Sequence, residues 1–200
     1  MSPLPGPAGS RPLVVLAVVG TDHHPFQRLV DWVDAWAGER GRAVRVVVQH
    51  GSARPPAVAE GRALLGAEEL QGLFAVADAI VTHGGPATMN EVRSRGLLPL
   101  VVPRDPALGE HVDDHQQRFT RRLADLGEVR LCPTREDLVG ALDAALADPS
   151  VLRLDPAAER LRADQVQAAV QRVGAVVDGL VAEAAEAASR RRPWARRAAR

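Results

Sequence analysis

Ala77-Asp78-Ala79-Ile80-Val81-Thr82-His83-Gly84-Gly85-Pro86-Ala87-Thr88-Met89-Asn90-Glu91 reads as a short buried strand that breaks at a His-Gly-Gly turn and restarts as a helix. The apolar run over 77–82 is too continuous for a strand with one wet face, so it is expected to be covered on both sides. Pro86 suits the first helical position, where its missing N–H costs nothing. The pattern recurs one strand later. Residues 98–102 are apolar, Pro103-Arg104 ends the run, and Gly109-Glu110-His111-Val112-Asp113-Asp114-His115-Gln116 follows as a second polar cluster before a helix expected over 112–126.

The same alternation extends in both directions. Residues 13–19 form a Val-rich strand ended by Gly20-Thr21, and His24-Pro25 is expected to start a helix carrying Phe26, Leu29, Val30, Val33 and Trp36 at helical spacing. Residues 43–49 read as a second strand, 50–62 as a loop around Pro55-Pro56, and 67–75 as a short helix. A fifth strand is expected over 129–131. Thr134 with Asp137 predicts a capping box for a helix that ends before Pro149. Strands alternating with helices imply an α/β fold with a parallel sheet and right-handed crossovers. Ligands bind such sheets beyond the carboxyl ends of the strands. All six histidines (His23, His24, His50, His83, His111 and His115) fall on that edge. After residue 155, Val166, Val170, Val173, Val177 and Leu180 follow a 4-3-4-3 spacing, one apolar stripe on a long helix. That stripe either packs on its own domain or docks a partner. The expected organisation is a disordered segment over 1–11, a domain over 12–150, a C-terminal helix over 151–188 and an Arg-rich tail over 189–200.

Composition sets limits. The 200 residues include 46% hydrophobic side chains but only 3% aromatics, so the core must be built from Val, Leu and Ala. Every basic residue is Arg, which with the abundance of Ala, Val, Pro and Gly reads as GC-rich bacterial coding. The lone Cys132 excludes an internal disulfide and a multi-cysteine zinc site; it is expected to be buried and inert in a reducing cytoplasm. Six Arg and no acid fall in 189–200, leaving 19 Arg against 25 acids elsewhere, a charge of −6. An acidic body argues against general nucleic-acid binding. The tail over 190–200, with Trp194, reads as a contact for anionic membrane or as a solvated tail. No signal peptide is expected from the Pro/Gly start, and no apolar run approaches the roughly 20 residues of a spanning helix.

The strand-end residues suit a phosphorylated, hydroxyl-rich ligand. Gly84 and Gly85 let backbone approach an anion, and the helix starting at Pro86 directs free N–H groups and partial positive charge at the turn. Thr88 adds a hydroxyl, and the Glu91 carboxylate can accept from two vicinal hydroxyls. Asp113, Asp114, His115, Gln116 and Gln117 suit further hydroxyls. Taken singly, each feature also fits an ordinary strand-turn-helix or a solvated helix start. His111 and His115, four apart, could hold a metal with His23 or Asp22 completing the set, which leaves a metal-dependent hydrolase as an alternative. No metal ligand and no cofactor are assigned.

In order along the chain, Val19-Gly20-Thr21 with residues 25–30, Gln49-His50-Gly51-Ser52, residues 77–86, Pro103-Arg104 and residues 109–116 resemble the nucleotide-binding C-terminal half of GT-B glycosyltransferases, in particular family 28. They are similar to free-standing donor-binding subunits of two-chain enzymes: the PssE-type exopolysaccharide subunits and the eukaryotic subunit of the dolichyl-diphosphate chitobiose enzyme. The resemblance covers about residues 13–148. It implies a Rossmann-like parallel sheet, the C-terminal half of a GT-B fold, that holds a UDP-sugar donor and carries a C-terminal helical extension. It implies His83, as the catalytic residue, with the Gly84-Gly85 backbone at the diphosphate, Thr88 on a phosphate oxygen, Glu91 on the ribose, and His115 and Gln116 at the sugar. Gly20 and Thr21 would form the facing loop, and Leu65-Gly66 would lie against uracil. Ala87 and His115 depart from a related plant-type signature, which has Asn and Asp there. The acceptor and the general base belong to the other half of a GT-B enzyme. The resemblance therefore implies hexosyl transfer to a polyisoprenyl-diphosphate-linked acceptor, in exopolysaccharide or glycolipid synthesis, together with a membrane-associated acceptor-binding subunit. The chain would be cytoplasmic, recruited to the inner face of the plasma membrane. The non-catalytic alternative is a nucleotide-sugar-binding scaffold.

Overall fold

The computed structural model describes residues 11–190, so the expectations for the first ten residues and for the Arg tail beyond 190 lie outside the described residues. The chain divides after Leu154 into two units.

In the first unit, alternation of strand and helix gives β1 (Leu13–Val18), α1 (Gln27–Arg40), β2 (Val44–Gln49), β3 (Glu60–Arg62), α2 (Ala67–Val76), β4 (Ala79–Thr82), α3 (Pro86–Ser94), β5 (Leu100–Val101), α4 (His115–Asp125), β6 (Arg130–Leu131) and α5 (Arg135–Ala147). The six strands form one sheet in the order β3-β2-β1-β4-β5-β6, and every pairing is parallel. This is a Rossmann-like order, with the direction of winding reversing between β1 and β4. The expected α/β parallel sheet is present.

The β1 run is buried throughout because the sheet is covered on both faces, as a continuous apolar strand requires. Its side chains alternate between two cores. Val15 and Ala17 join Phe26, Leu29, Val33, Trp36, Leu138 and Leu142 beneath α1 and α5. Leu16 and Val18 join Phe74, Ile80 and Val92 beneath α2 and α3. Each fully buried side chain of this kind contributes roughly 1.5–3 kcal/mol. Trp36 is fully buried and satisfies its ring N–H by donating to Asp143 Oδ1 at 2.8 Å, while Arg40 holds the same carboxylate at 2.8 and 2.7 Å.

Several boundaries differ from the sequence reading. The expected loop over 50–62 contains β3, a polar Glu-Gly-Arg edge strand with no apolar alternation to reveal it. β5 and β6 are two residues each. The first helix does not start at Pro25. Phe26 is its N-cap and is driven fully into the core, so residues 20–25 remain a loop. α4 starts at His115, not at 112, because the polar residues before it form turns. The capping box on α5 is present, Thr134 Oγ1 accepting from the Asp137 N–H at 3.2 Å and Asp137 Oδ2 from the Thr134 N–H at 3.1 Å. Cys132 lies just beyond β6, fully buried, and burial pushes its thiol up to about 12, as an inert core cysteine requires.

The second unit contains one long helix, α6 (Pro156–Arg190). Its stripe of Val166, Val170, Val173, Val177 and Leu180 is exposed, as are Val176 and Val181 beside it. No described helix is long and apolar enough to cross a membrane.

Candidate functional site

Three loops leave the carboxyl edge of the sheet around its switch point and enclose an open cleft of about 840 Å³. That volume falls within the roughly 300–1,000 Å³ of small-ligand sites. Gly20, Thr21, Asp22, His23 and His24 come from the loop after β1. His83, Gly85, Pro86, Ala87 and Thr88 come from the turn after β4 and the start of α3. Val112 and Gln116 come from the segment entering α4. Leu64, Leu65 and Leu70 make the wall on the β3–α2 side apolar.

The His83 ring is clamped between glycines. A Cβ at Gly20 would stand 2.7 Å from the ring, and a Cβ at Gly85 also 2.7 Å from it. Gly20 further adopts φ +88°, a left-handed conformation that side-chain-bearing residues rarely take. His83 Nδ1 donates to Val18 O at 3.4 Å. Burial, reinforced by the Arg104 charge, lowers its pKa to about 4, so the ring is neutral at physiological pH. Gly84 has a different reason to be glycine. With φ +92°, its Cβ would meet Thr120 Cγ2 at 2.6 Å, so it lets α4 pack against the turn.

The helix start after β4 is open. α3 begins with Gly85 as N-cap and Pro86 at its first position, with no side chain capping it, whereas at the start of α4 the Asp113 carboxylate accepts from the His115 N–H at 3.1 Å. The unpaired first-turn N–H groups of α3 and its helix dipole favour an anion there. By contrast α5, which lines no part of the cleft, is fully capped. Among the described residues Gln116 Oε1 and Thr82 Oγ1 are buried without a hydrogen-bond partner. Gln116 lines the cleft and is only 9% exposed. A buried polar atom left without a partner costs roughly 1–3 kcal/mol, so its position calls for a ligand group.

The structure thus brings together on the cleft wall Gly20, Thr21, His83, Gly85, Thr88 and Gln116 from the residues singled out in the sequence. Gly84, Glu91 and His115 are not on that wall. Glu91 lies further along α3, its Oε1 accepting from Arg95 Nε at 3.1 Å and Nη2 at 2.8 Å. His115 is the first residue of α4 and its ring pairs with Asp113. His50 serves its own loop, Nδ1 donating to Ala53 O at 2.9 Å.

Arg104 organises the site, a role not read from the sequence. It is fully buried, with Phe26 beneath its guanidinium at 4.9 Å. Nη1 donates to His24 O at 2.7 Å and Glu110 O at 2.9 Å, and Nη2 to Val19 O at 2.8 Å. One side chain therefore ties the loop after β1 to the loop after β5. Arg28 fixes the second loop again, holding both Glu110 carboxylate oxygens at 2.9 and 2.7 Å and Pro103 O at 3.0 Å. Gln49 braces Gly20, accepting from its N–H at 3.3 Å and donating to its carbonyl at 3.0 Å. Asp22 sits among these groups. Burial alone would raise its pKa, but the His24 backbone N–H and ring, with the charge of Arg104, hold it down at about 2. The signal for Arg104 was present only as a charged residue directly after a buried strand, which elsewhere marks a solvated loop.

The sequence model for the glycosyltransferase family 28 C-terminal domain matches residues 14–173. A curated relative from Aeromonas hydrophila subsp. hydrophila, UDP-N-acetylglucosamine--N-acetylmuramyl-(pentapeptide) pyrophosphoryl-undecaprenol N-acetylglucosamine transferase, is 31% identical over 155 residues, 72% of this chain and 41% of its own length. Its counterpart from Acinetobacter baylyi is 34% identical over 79 residues, 40% of this chain and 20% of its own. Among solved structures, MurG of Acinetobacter baumannii superposes with a TM-score of 0.51 at 24% identity, over 72% of this chain and 44% of that one. The calicheamicin glycosyltransferase CalG4 gives 0.53 at 20% identity, over 72% and 36%. These likenesses establish the fold, that of one half of a GT-B glycosyltransferase. The chain spans about two fifths of the length of the relative from A. hydrophila.

Proposed function

The chain belongs to the glycosyltransferase family 28 C-terminal domain family, and on that premise we propose that it is the UDP-sugar-binding, catalytic subunit of a hexosyltransferase. The observation that carries the reading is the cleft itself. It opens at the switch point and combines an apolar wall, an uncapped helix start and the unpartnered Gln116 Oε1. Those three features suit, in turn, a base, a diphosphate and a hydroxyl-bearing sugar.

In this reading uracil lies against Leu64, Leu65 and Leu70. The diphosphate lies at the start of α3, with Thr88 on one phosphate oxygen and Gly20 and Thr21 facing it. Glu91 takes the ribose hydroxyls once it exchanges Arg95 for them, and His115 and Gln116 serve the donor sugar. Transfer forms a bond from an acceptor hydroxyl oxygen to the anomeric carbon as the bond from that carbon to the diphosphate breaks; the hydroxyl proton passes to a base on the acceptor side, and charge develops on the departing UDP. The preorganised N–H donors of α3 stabilise that charge. His83 contributes as a cation only if the arriving diphosphate draws a proton onto the ring, which is neutral in the free protein. Binding would then take up a proton.

The reading also includes a separate membrane-associated subunit that supplies the acceptor site, a polyisoprenyl-diphosphate-linked acceptor, and a place at the cytoplasmic face of the membrane in exopolysaccharide or glycolipid synthesis. What supports the lipid-linked acceptor is the relative from A. hydrophila, named for transfer to a pyrophosphoryl-undecaprenol acceptor, and what supports the separate subunit is the resemblance to free-standing donor-binding chains. Titration calorimetry on the isolated chain tests the proposal. UDP is expected to bind, and Glu91→Ala and Gln116→Ala each to weaken it or the UDP-sugar at least tenfold. Absence of UDP affinity, with or without the partner, overturns it. Sugar binding without transfer by the reconstituted pair would favour the scaffold reading instead.

A further inference from the structure

Two histidine-carboxylate groups face each other at the rim of the cleft. One is Asp22, His23 and His24 after β1; the other is His111, Asp113 and His115 before α4. We propose that His111, Asp113 and His115 bind a divalent transition-metal ion, zinc in first place, with Asp22 as the outer carboxylate that orients His111. This departs from the metal-free reading of the sequence; it shares His115 with the sugar-donor assignment, and zinc binding to the free protein tests it apart from that assignment.

The second group can supply three ligand atoms within 4.8 Å of one another. His111 Nδ1 lies 3.7 Å from Asp113 Oδ1, and His115 Nδ1 contacts that same carboxylate oxygen. Ligand atoms around a tetrahedral zinc with bonds near 2.1 Å stand about 3.4 Å apart, so an arriving ion would part His115 from Asp113 and displace the Asp113 N–H that His111 Nδ1 accepts at 3.4 Å. Imidazole with carboxylate selects zinc and its neighbours over magnesium or calcium, which take all-oxygen shells.

The independent observation comes from another loop. His111 Nε2, the other ring nitrogen, faces Asp22 Oδ2 at 3.6 Å, an ion-pair separation that a small ring movement would close to a hydrogen bond. A metal-bound imidazole characteristically gives its second N–H to a carboxylate, which fixes the tautomer and the ring. Asp22 is itself immobilised, accepting from the His24 N–H at 2.9 Å and His24 Nδ1 at 2.8 Å. Arg104 then locks both sides together, since it donates to the carbonyl of His24 and to that of Glu110, the residue before His111. A capped helix start accounts for the Asp113 bond to the His115 N–H at 3.1 Å. It does not account for a second carboxylate aligned on the far side of His111.

Opposing terms set the strength. Arg104 and the positive end of α4 repel a cation, and His115 and Asp113 are about half exposed. Two carboxylates offset that repulsion, so affinity in the micromolar range is expected, with a coordination position left open. His23, by contrast, is 85% exposed and shares Asp22 Oδ1 with His24, which makes the first group the poorer site.

Calorimetry of the untagged full chain with zinc chloride, and separately with magnesium chloride, tests the proposal. One equivalent of zinc and no magnesium should bind. His111→Ala, Asp113→Asn and His115→Gln should each weaken zinc at least tenfold, and Asp22→Asn should weaken it 10- to 100-fold with stoichiometry kept. His23→Ala should change nothing. Metal-free melting by circular dichroism confirms that each variant is folded, and His115→Gln, at an exposed position, is the safeguard. No saturable zinc binding, zinc binding indifferent to His111→Ala and His115→Gln, or a loss on His23→Ala as large as on His111→Ala overturns it.

Discussion

His83 sits where its ring is squeezed between two glycines and partly withdrawn from water, and this has a consequence for stability. Its pKa in the fold is about 4 against 6.5 for an unperturbed histidine, because burial and then Arg104 disfavour the cation. Below pH 6.5 the unfolded chain takes a proton that the folded one refuses. The contribution is therefore fully present above 6.5 and is lost as pH falls towards 4, by about 3 kcal/mol in all. Urea denaturation at pH 7, 5.5 and 4 should show this decline, and His83→Gln should flatten it. Asp22, held at about 2, acts in a separate, lower window, losing its contribution as pH falls from 3.8. The two flanking glycines are separable as well. Gly84→Ala should destabilise by about 2 kcal/mol or more, since it adds strain at φ +92° to a 2.6 Å clash with Thr120. Gly85→Ala has no positive φ and should act mainly by displacing the His83 ring, which a shift of the His83 NMR signals would reveal. The sequence reading assigned both glycines to backbone approach on an anion. For Gly84 the packing against Thr120 is a second and sufficient reason, and it was invisible because Thr120 lies 36 positions away.

At the scale of elements, what was legible followed from local chemistry. The strands with long apolar runs and the α5 capping box carry their own signals in adjacent residues. Thr134→Ala should accordingly cost about 1 kcal/mol in thermal unfolding and leave UDP binding untouched, because α5 starts away from the cleft. What was not legible depends on pairing or on distant partners. β3 is a strand only because Val47, Val48 and Gln49 offer it a ladder. Pro25 looked like a helix start, yet the burial of Phe26 sets the start of α1 two residues later. Arg104 is the strongest case. Its three carbonyl partners lie 85, 80 and 6 positions away, so no window of sequence contains them. Replacing it with Met keeps most of the volume but leaves those buried carbonyls without a donor. Arg104→Met should cost about 3–5 kcal/mol and loosen both loops, so UDP affinity should fall although Arg104 does not line the cleft. Hydrogen exchange at residues 20–25 and 105–114 would register the loosening.

At the scale of the whole molecule, the six parallel strands and their two covered faces have the fold of one half of a GT-B glycosyltransferase, with the cleft at the carboxyl edge of the sheet. In the proposed two-subunit reading the acceptor site lies on a partner, and the second unit offers a surface that could recruit it. Along α6 the stripe of Val166, Val170, Val173, Val177 and Leu180 is between 51% and 64% exposed. Val176 and Val181 widen it beyond a narrow two-stranded seam. Five to seven such side chains, each worth roughly 1.5–3 kcal/mol when fully buried, supply enough apolar surface to hold a partner subunit after the costs of association. The cleft is built from loops of the first unit, and the stripe belongs to the second. Binding of donor and binding of partner should therefore be separable by mutation. Val170→Asp with Val177→Asp places two charges on the stripe at positions already half exposed, so the melting temperature should move by no more than a few degrees and the UDP dissociation constant by less than twofold. Co-purification with the acceptor-binding subunit and sugar transfer by the mixture should both be lost. If the double variant still pairs and transfers normally, the stripe does not recruit the partner, and the acceptor half must be held by the cleft rim or by residues beyond 190.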